Sequence, residues 1–471
     1  MKKHLFYFCC GLSLIAFSSV CQAILFVPTK ERSFLQVTIY NQGRALIKDT
    51  RKVNLNEGKN EIAFEDVSAQ IMPQTALLEG DGVATLEQNF NFDVLSEQSL
   101  LEKSVGSVVN VEYVNPATGT VSQEKATLLS YTHGRPVLKI GSKIESSYPG
   151  RIIFDQVPAG LFAKPTLTMQ VVSQKAKESL LSLNYLTTGI SWKADYVALM
   201  SADETTLSLD GWVTLTNTSG VDYKNASLDL VAGAVNVVHH ENVRAKGVML
   251  NSAAVYEGSD SMPMVESLSD FYIYHIPFKT DILAQQTKQV ALLSADKIGV
   301  QKTYTFRLTD IWYDGYQMGE QKDLKPNISF TFNNEKQNGL GIALPKGVVR
   351  VYKADQKANA LFIGEDSIEH TAPLQTVSLK TGKAFDLTAD FKCLEFKRDK
   401  DQRTASFEVV VKNGSKEEKT VQLVQNLPQS VKFLTQSVLA EKKTAQQYMW
   451  QLKVPPMGRQ TLTYQIMWFT N

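Results

Sequence analysis

The stretch YLTTGISWKADYVALM, residues 185–200, has the alternation of apolar and polar positions that is typical of a β-strand. In a strand, side chains an even number of residues apart share one face, so Trp192 and Tyr196 lie together while Lys193 and Asp195 point to the opposite side. We therefore expect Trp192 and Tyr196 to anchor the core of a β-sandwich. A ligand-facing role for this aromatic pair is the alternative.

Two further residues of this stretch have predicted structural roles. Tyr185 precedes the aromatic pair. Gly189 lies between Tyr185 and Trp192, where it permits a bend or the close approach of a neighbouring backbone. The sequence thus predicts that Tyr185, Gly189, Trp192 and Tyr196 form a structural joint.

The same two-residue period recurs along the chain, and turns containing Asn or Gly separate the segments that carry it. Helical patterns are confined to residues 96–105 and residues 281–293. For residues 281–293, two short strands fit equally well. These features predict an all-β fold, a multidomain chain of β-sandwich modules with a small barrel-like module and few short helices. The clearest strand patterns are FLQVTIY (34–40), TYTFRLTDIWY (303–313), NISFTF (327–332), TASFEVVVKN (404–413) and TLTYQIMWF (461–469).

The spacing of strands and turns predicts four modules in the mature chain. Short strands are densest in the second module, which suits a small closed barrel. Within the third, residues 241–269 collect Ser, Ala, Gly and acidic residues without a sustained period and predict a long mobile loop. The expected modules are an N-terminal β domain (24–100), a small β-barrel-like module (101–165), a central β domain (166–383) and a C-terminal Ig-like β-sandwich (384–471).

The N-terminus has the order of a secretory signal peptide. Lys2 and Lys3 precede an apolar run over residues 5–17, and a short polar stretch ends at Ala23. Cleavage after Ala23 leaves Cys393 as the single cysteine of the mature chain. We expect an exported protein, periplasmic or extracellular, without a disulfide. The apolar run is shorter than the roughly 20 residues of a membrane span, so no transmembrane insertion is expected.

The charge balance of the mature chain is close to neutral, with 47 basic and 48 acidic residues. A nucleic-acid-binding protein would carry a basic stripe, and binding to an anionic membrane surface would likewise call for an excess of positive charge. Neither is present, so we expect no nucleic-acid partner.

Motifs for metal binding, cofactor binding or serine chemistry are missing from the sequence. His239 and His240 are adjacent in a strand-like segment and would point to opposite faces. The sequence contains no HExxH, paired CxxC, EF-hand loop or GxSxG elbow. We therefore expect no metal and no cofactor.

One constellation resembles a site for sugar cleavage. Asp314 and Glu320 are possible catalytic carboxylates, and three neighbouring aromatic side chains, Trp312, Tyr313 and Tyr316, are possible binding residues because aromatic faces stack on pyranose rings. The alternative is an aromatic-rich strand end that packs on the core.

Several stretches of the chain resemble one bacterial family. Residues 185–200, followed by LSLDGWVTLTNTSGVDYKNASLDLVAGAVNVV (207–238), resemble the core signature of the family called domain of unknown function 4139. VTIYNQGRALIKDTRKVNLNEGKNEIAF (37–64) is similar to its N-terminal companion domain, and LPKGVVRVYKADQKANALFIGED (344–366) matches further downstream. The resemblance implies an exported, β-rich protein. The label mucoidy inhibitor on some relatives implies the envelope or its exopolysaccharide, and no catalytic residues are carried over.

The sequence as a whole favours a non-enzymatic envelope or secreted protein whose β modules bind a protein or glycan partner. A hydrolase of envelope polysaccharide that uses a carboxylate pair is the alternative, and a spacer with no ligand of its own is a third possibility. The oligomeric state is left open.

Overall fold

The computed structural model describes residues 24–91, 94–158, 160–233, 264–268, 271–310, 320–354 and 359–469. These residues form two compact units. The first lies within Met1–Gln36, Leu46–Thr188 and Ser219–Val221, and the second within Val37–Ala45, Gly189–Thr218 and Asp222–Asn471. Strands dominate both units, so the predicted all-β class is confirmed.

Up to residue 188, the described chain forms thirteen strands and one α-helix. The strands are β1 (Leu25–Val27), β2 (Arg32–Tyr40), β3 (Arg44–Leu55), β4 (Gly58–Glu65), β5 (Leu77–Glu79), β6 (Val83–Asn91), β7 (Val108–Val114), β8 (Val121–Thr132), β9 (Arg135–Ile140), β10 (Lys143–Glu145), β11 (Arg151–Ile153), β12 (Thr166–Ser173) and β13 (Lys177–Thr188), and the helix α1 (Glu97–Lys103) lies between β6 and β7.

The first unit contains a four-stranded sheet in the order β1-β4-β12-β6. In a second group, β3 lies between β2 and β13, and β13 pairs with β5. A buried ion pair stabilises this unit: Arg51 is fully buried, its Nη2 lies 2.6 Å from Asp49 Oδ2, and its Nη1 donates hydrogen bonds to the carbonyls of Val27 and Glu65. These bonds join β3 to β1 and β4.

The small module of the first unit is an open sheet. Its strands follow the order β10-β9-β8-β7-β11, and the described residues show no pairing of β10 with β11, so the predicted closed barrel is wrong. Both end strands have only three residues, which leaves little backbone to close a barrel. Helix α1 confirms the helix predicted at 96–105, and Ser96 caps it by accepting a hydrogen bond from the backbone N–H of Ser99 (3.1 Å).

From residue 190 onward, the described chain forms twenty strands: β14 (Ile190–Met200), β15 (Thr206–Asn217), β16 (Tyr223–Ala232), β17 (Met264–Leu268), β18 (Phe271–His275), β19 (Thr280–Ile282), β20 (Gln286–Gly299), β21 (Gln301–Arg307), β22 (Gln321–Leu324), β23 (Asn327–Asn333), β24 (Gly347–Ala354), β25 (Ala360–Ile368), β26 (Thr376–Lys383), β27 (Leu387–Asp399), β28 (Gln402–Asn413), β29 (Lys419–Asn426), β30 (Lys432–Gln436), β31 (Glu441–Lys442), β32 (Gln447–Val454) and β33 (Gly458–Phe469).

The five strands β20-β15-β14-β24-β25 form the central sheet of the second unit. In a neighbouring group of strands of this unit, β18 lies between β17 and β16, and β19 pairs with β16. Residues 281–293, which fitted a helix or two strands, form parts of β19 and β20. The loop predicted at 241–269 is wrong at Met264–Leu268, which is strand β17 paired with β18. The earlier part of that loop lies outside the described residues.

A β-sandwich completes the second unit. One sheet has the order β26-β23-β21-β29-β32-β31 and the other β22-β27-β28-β33-β30. Their inner faces form one hydrophobic core in which the ring of Trp450 stacks on that of Tyr464, with centroids 4.8 Å apart. Four of these strands, β21, β22, β23 and β26, precede residue 384, where the C-terminal module was expected to begin.

Candidate functional site

Tyr185 and Gly189 lie on either side of a boundary in the chain, since Thr188 belongs to the first unit and Gly189 to the second. The hydroxyl oxygen of buried Tyr185 accepts a hydrogen bond from the backbone N–H of Ser68 (3.4 Å). Gly189 has a φ of 80°, which other residues rarely adopt, and its carbonyl accepts the backbone N–H of Thr218 (2.6 Å).

Trp192 and Tyr196 are both buried on the inner face of β14. The Tyr196 hydroxyl donates a hydrogen bond to the carbonyl of Pro345 (2.7 Å), and burial raises its pKa well above the ordinary value. Trp192 packs edge-on against Tyr274, with ring centroids 6.4 Å apart. The structure therefore places this aromatic pair in a packed interior.

Two glycines make room for the Tyr196 ring. Gly211 on β15 is its register partner, and a Cβ at that position would lie 3.2 Å from Tyr196 Cε1 and 2.9 Å from Leu293 Cγ. On β24, a Cβ at Gly347 would lie 2.9 Å from Tyr196 Cε2. The Tyr196 ring contributes to the need for glycine at both positions, together with Leu293 at Gly211 and with the backbone carbonyl of Ala194, which a Cβ at Gly347 would overlap.

The predicted sugar-cleaving constellation lies largely outside the described residues, which omit Trp312, Tyr313, Asp314 and Tyr316. Glu320 is described, and its carboxylate lies 3.1 Å from Lys392 Nζ and 3.3 Å from Lys322 Nζ. The hydrogen bond from Lys392 lowers the pKa of Glu320, which is the direction opposite to that needed by a general acid.

Histidines offer no metal site in the part of the chain that the structure describes, where groups of three suitable ligands are absent. His239 and His240 lie outside that part. His275 does have two acidic partners: its Nδ1 lies 2.7 Å from Asp229 Oδ1 and its Nε2 lies 3.2 Å from Glu266 Oε2. Since both ring nitrogens are engaged by carboxylates, the arrangement favours the protonated imidazole and occupies both nitrogens.

The outer face of the central sheet, the side that carries Lys193 and Val197, is the candidate functional site. Trp212 on β15 lies on this face, and 39% of its side chain is exposed. It pairs in register with Asp195 on β14 and with Ala291 on β20, an alanine whose small side chain leaves space beside the indole. A large aromatic ring is therefore accessible at the middle of a rigid sheet.

A row of side chains joined by hydrogen bonds and one ion pair crosses the sheet beside Trp212, and each of the five strands contributes one residue. Gln289 Nε2 donates to Thr214 Oγ1 (3.2 Å), and Thr214 Oγ1 donates to Asp195 Oδ2 (2.8 Å). Arg350 Nη1 donates to Asp195 Oδ1 (3.2 Å), while Arg350 Nε lies 3.4 Å from Glu365 Oε2. We call these five residues the polar row.

Asp195 is the central residue of the polar row. Burial alone would raise its pKa, but hydrogen bonds from Thr214 and Arg350 outweigh this effect and lower it. The carboxylate is thus ionised at neutral pH and its lone pairs are largely used. Such a group orients its neighbours and is poorly suited to proton transfer.

Apolar side chains continue the outer face on the side of the polar row away from Lys193. Val197, Leu199 and Phe362 are 37%, 43% and 55% exposed. Tyr352 is the register partner of Leu199, and its ring meets that of Phe362 edge to face with centroids 5.7 Å apart. The outer face therefore combines accessible rings with oriented polar groups, which is the combination that ligand-binding surfaces use.

Residues 181–468 match the protein family described as Domain of unknown function (DUF4139). The match covers more than half of the chain. This protein belongs to the DUF4139 family. No curated protein matches the sequence significantly. The DUF4139 region begins within β13 and includes every later strand except the last residue of β33, and so contains the whole central sheet and almost all of the sandwich.

Sequence reasoning missed Trp212 even though it lies within the stretch that carries the DUF4139 resemblance. A signal was present. Along LSLDGWVTL the apolar positions Leu207, Leu209, Val213 and Leu215 follow one period, and Trp212 falls on the opposite, polar phase. An aromatic residue out of phase with its strand is the pattern that predicts an exposed ring. Among the described residues of this DUF4139 protein, no helix is both long and apolar enough to cross a membrane.

Proposed function

We propose that this protein is an exported, non-enzymatic binding protein of the envelope or the extracellular space, and that the outer face of its central sheet binds a glycan. The N-terminal pattern of lysines, apolar run and Ala23 supports export. The exposed ring of Trp212 beside the polar row is the observation that carries the binding role.

A glycan suits this surface because a sugar ring offers an apolar face for stacking and a rim of hydroxyls for hydrogen bonding. The Trp212 indole would take the apolar face. Gln289, Arg350 and the exposed Lys193 would donate to hydroxyl oxygens, and Glu365 would accept from them. The charges of the outer face nearly cancel, since basic Lys193 and Arg350 stand against acidic Asp195, Asp210 and Glu365, and this balance favours an uncharged ligand.

A protein partner fits less well around Trp212. The core of a protein interface is depleted of charged residues, whereas Trp212 lies opposite Asp195, whose carboxylate is paired with Arg350. Glu320 likewise gives the hydrolase alternative little support, because two lysines hold its carboxylate ionised.

Binding is tested with the mature chain, residues 24–471, in native gels that contain soluble bacterial polysaccharides. Retardation by at least one neutral polysaccharide is expected, and Trp212→Ala weakens it roughly tenfold or more, as for a central aromatic contact. Phe469→Ala removes an aromatic ring that is 44% exposed on the sandwich and serves as the matched control.

Three outcomes would overturn the proposal. Retardation unchanged by Trp212→Ala would place the site elsewhere. Capture of a protein partner through Trp212, with no polysaccharide retarding the chain, would replace the glycan. Shortening of a polysaccharide that stops in Asp314→Ala or Glu320→Ala would make the protein a hydrolase.

A further inference from the structure

One end of the sandwich consists of four connections between its two sheets, residues 325–326, 384–386, 414–418 and 455–457, which we call the arch end. They join β22 to β23, β26 to β27, β28 to β29 and β32 to β33. In each pair, one strand belongs to the six-stranded sheet and the other to the five-stranded sheet. The four connections therefore meet at the same edge of the core.

Backbone hydrogen bonds link these connections in sequence. Ala384 N–H donates to the carbonyl of Pro326 (3.0 Å), Gly414 N–H to that of Asp386 (2.8 Å), and Met457 N–H to that of Ser415 (2.9 Å). Buried Asn413 adds side-chain hydrogen bonds to the carbonyls of Glu417 and Pro455. The arch end is thus a braced surface of fixed shape.

Two large apolar side chains project from this braced surface into solvent. Phe385 is 88% exposed and Met457 is 72% exposed. Met457 also has a φ of 46°, a conformation that residues other than glycine rarely adopt. The hydrogen bonds of the connections hold the backbone that carries both side chains at fixed positions.

Basic side chains surround the two apolar tips. Lys325 Nζ donates to the Phe385 carbonyl (2.6 Å) and lies 5.3 Å from the centroid of its ring. Lys383, Lys416 and Arg459 are exposed nearby. Of the acidic groups, Glu417 is neutralised by Lys419, which leaves Asp323, Asp386 and Glu418 against Lys325, Lys383, Lys416 and Arg459. The arch end therefore has a local positive excess although the whole chain is nearly neutral.

We propose that the arch end docks on a lipid bilayer that contains anionic headgroups, with Phe385 and Met457 inserted into the interfacial region. Aromatic side chains favour this region, and lysine and arginine are attracted to anionic lipid. Two separate tips are too small for a protein interface, which buries roughly 800 Å² per partner. This site is distinct from the glycan site on the outer face.

Sedimentation of the mature chain with phosphatidylglycerol vesicles and with phosphatidylcholine vesicles tests the proposal. We expect binding to the anionic vesicles that weakens as salt is added. The double variant Phe385→Ser with Met457→Ser lowers the bound fraction at least fivefold, and Lys383→Glu with Lys416→Glu lowers it on anionic vesicles alone. Leu439→Ser is the matched control, since Leu439 is 81% exposed away from the arch end.

Thermal melts accompany each variant, and no shift is expected because all of these side chains are exposed. Binding that persists in the Phe385 and Met457 double variant would overturn the proposal, as would equal loss in the Leu439 control. A change in oligomeric state instead of vesicle binding would assign the arch end to a second copy of the chain. Glycan retardation is measured in parallel and stays unchanged, which separates the two sites.

Discussion

At the scale of single residues, Trp192 and Trp212 show how one residue type takes two roles in paired strands. Trp192 is 5% exposed on the inner face of β14, while Trp212 is 39% exposed on the outer face of β15. Successive side chains of a strand point to opposite faces. Trp192 falls among the inward positions of β14, whereas Trp212 falls among the outward positions of β15. The difference separates the packing role of Trp192 from the binding role proposed for Trp212.

Trp192→Ala should lower the free energy of unfolding by roughly 3–5 kcal/mol, because it leaves a cavity in a packed interior and removes the contact with Tyr274. A chemical denaturation curve of the mature chain measures the change. Trp212→Ala is the matched control and should alter stability by less than about 1 kcal/mol. An unshifted curve for Trp192→Ala would instead support a ligand-facing role for the aromatic pair.

At the scale of elements, His275 joins three neighbouring strands. It lies on β18 and contacts Asp229 on β16 and Glu266 on β17. The hydrogen bond to Asp229 raises the pKa of His275, an effect that burial partly opposes. Tyr40 also faces this cluster, and burial together with the charge of Asp229 raises its pKa.

The stability that His275 contributes should depend on pH. Because its folded pKa is raised above the ordinary value of 6.5, the contribution is fully present below that value and is lost as pH rises through the folded pKa. His275→Gln should therefore cost about 0.5–1 kcal/mol at pH 5.5 and much less at pH 9, the magnitude of a half-exposed ion pair.

Thermal melts of the wild type and of His275→Gln across this pH range measure the difference. His133→Gln is a suitable control, since His133 is exposed in the β8–β9 turn. An equal cost of His275→Gln at both pH values would mean that the ring acts by packing and not by charge.

At the scale of the whole molecule, the sandwich is assembled from two separated parts of the chain. β21 pairs in parallel with β29, with Tyr304 opposite Val421, and β22 pairs with β27. Phe306 on β21 contributes to the common core. The strands before residue 384 therefore complete both sheets.

A fragment of residues 384–471 should fail to fold, because it lacks four strands and exposes the core that those strands cover. Circular dichroism on heating should show no cooperative transition, whereas a fragment of residues 301–471 should show one. A cooperative melt of the shorter fragment, at a temperature close to that of the longer one, would contradict this expectation.

Local patterns in the sequence determined much of this protein by themselves. The alternation of apolar and polar residues predicted the all-β class, a cluster of helix-forming residues predicted the helix near residues 97–103, and the order of residues in 185–238 carried the DUF4139 signature. Strand partners did not follow, because pairing depends on contacts between residues far apart in sequence. Tertiary structure alone brought Gly347 beside Tyr196, assembled the polar row from five strands and left the small module open. The sequence specified which face each side chain takes, and the fold decided which of those faces stayed exposed.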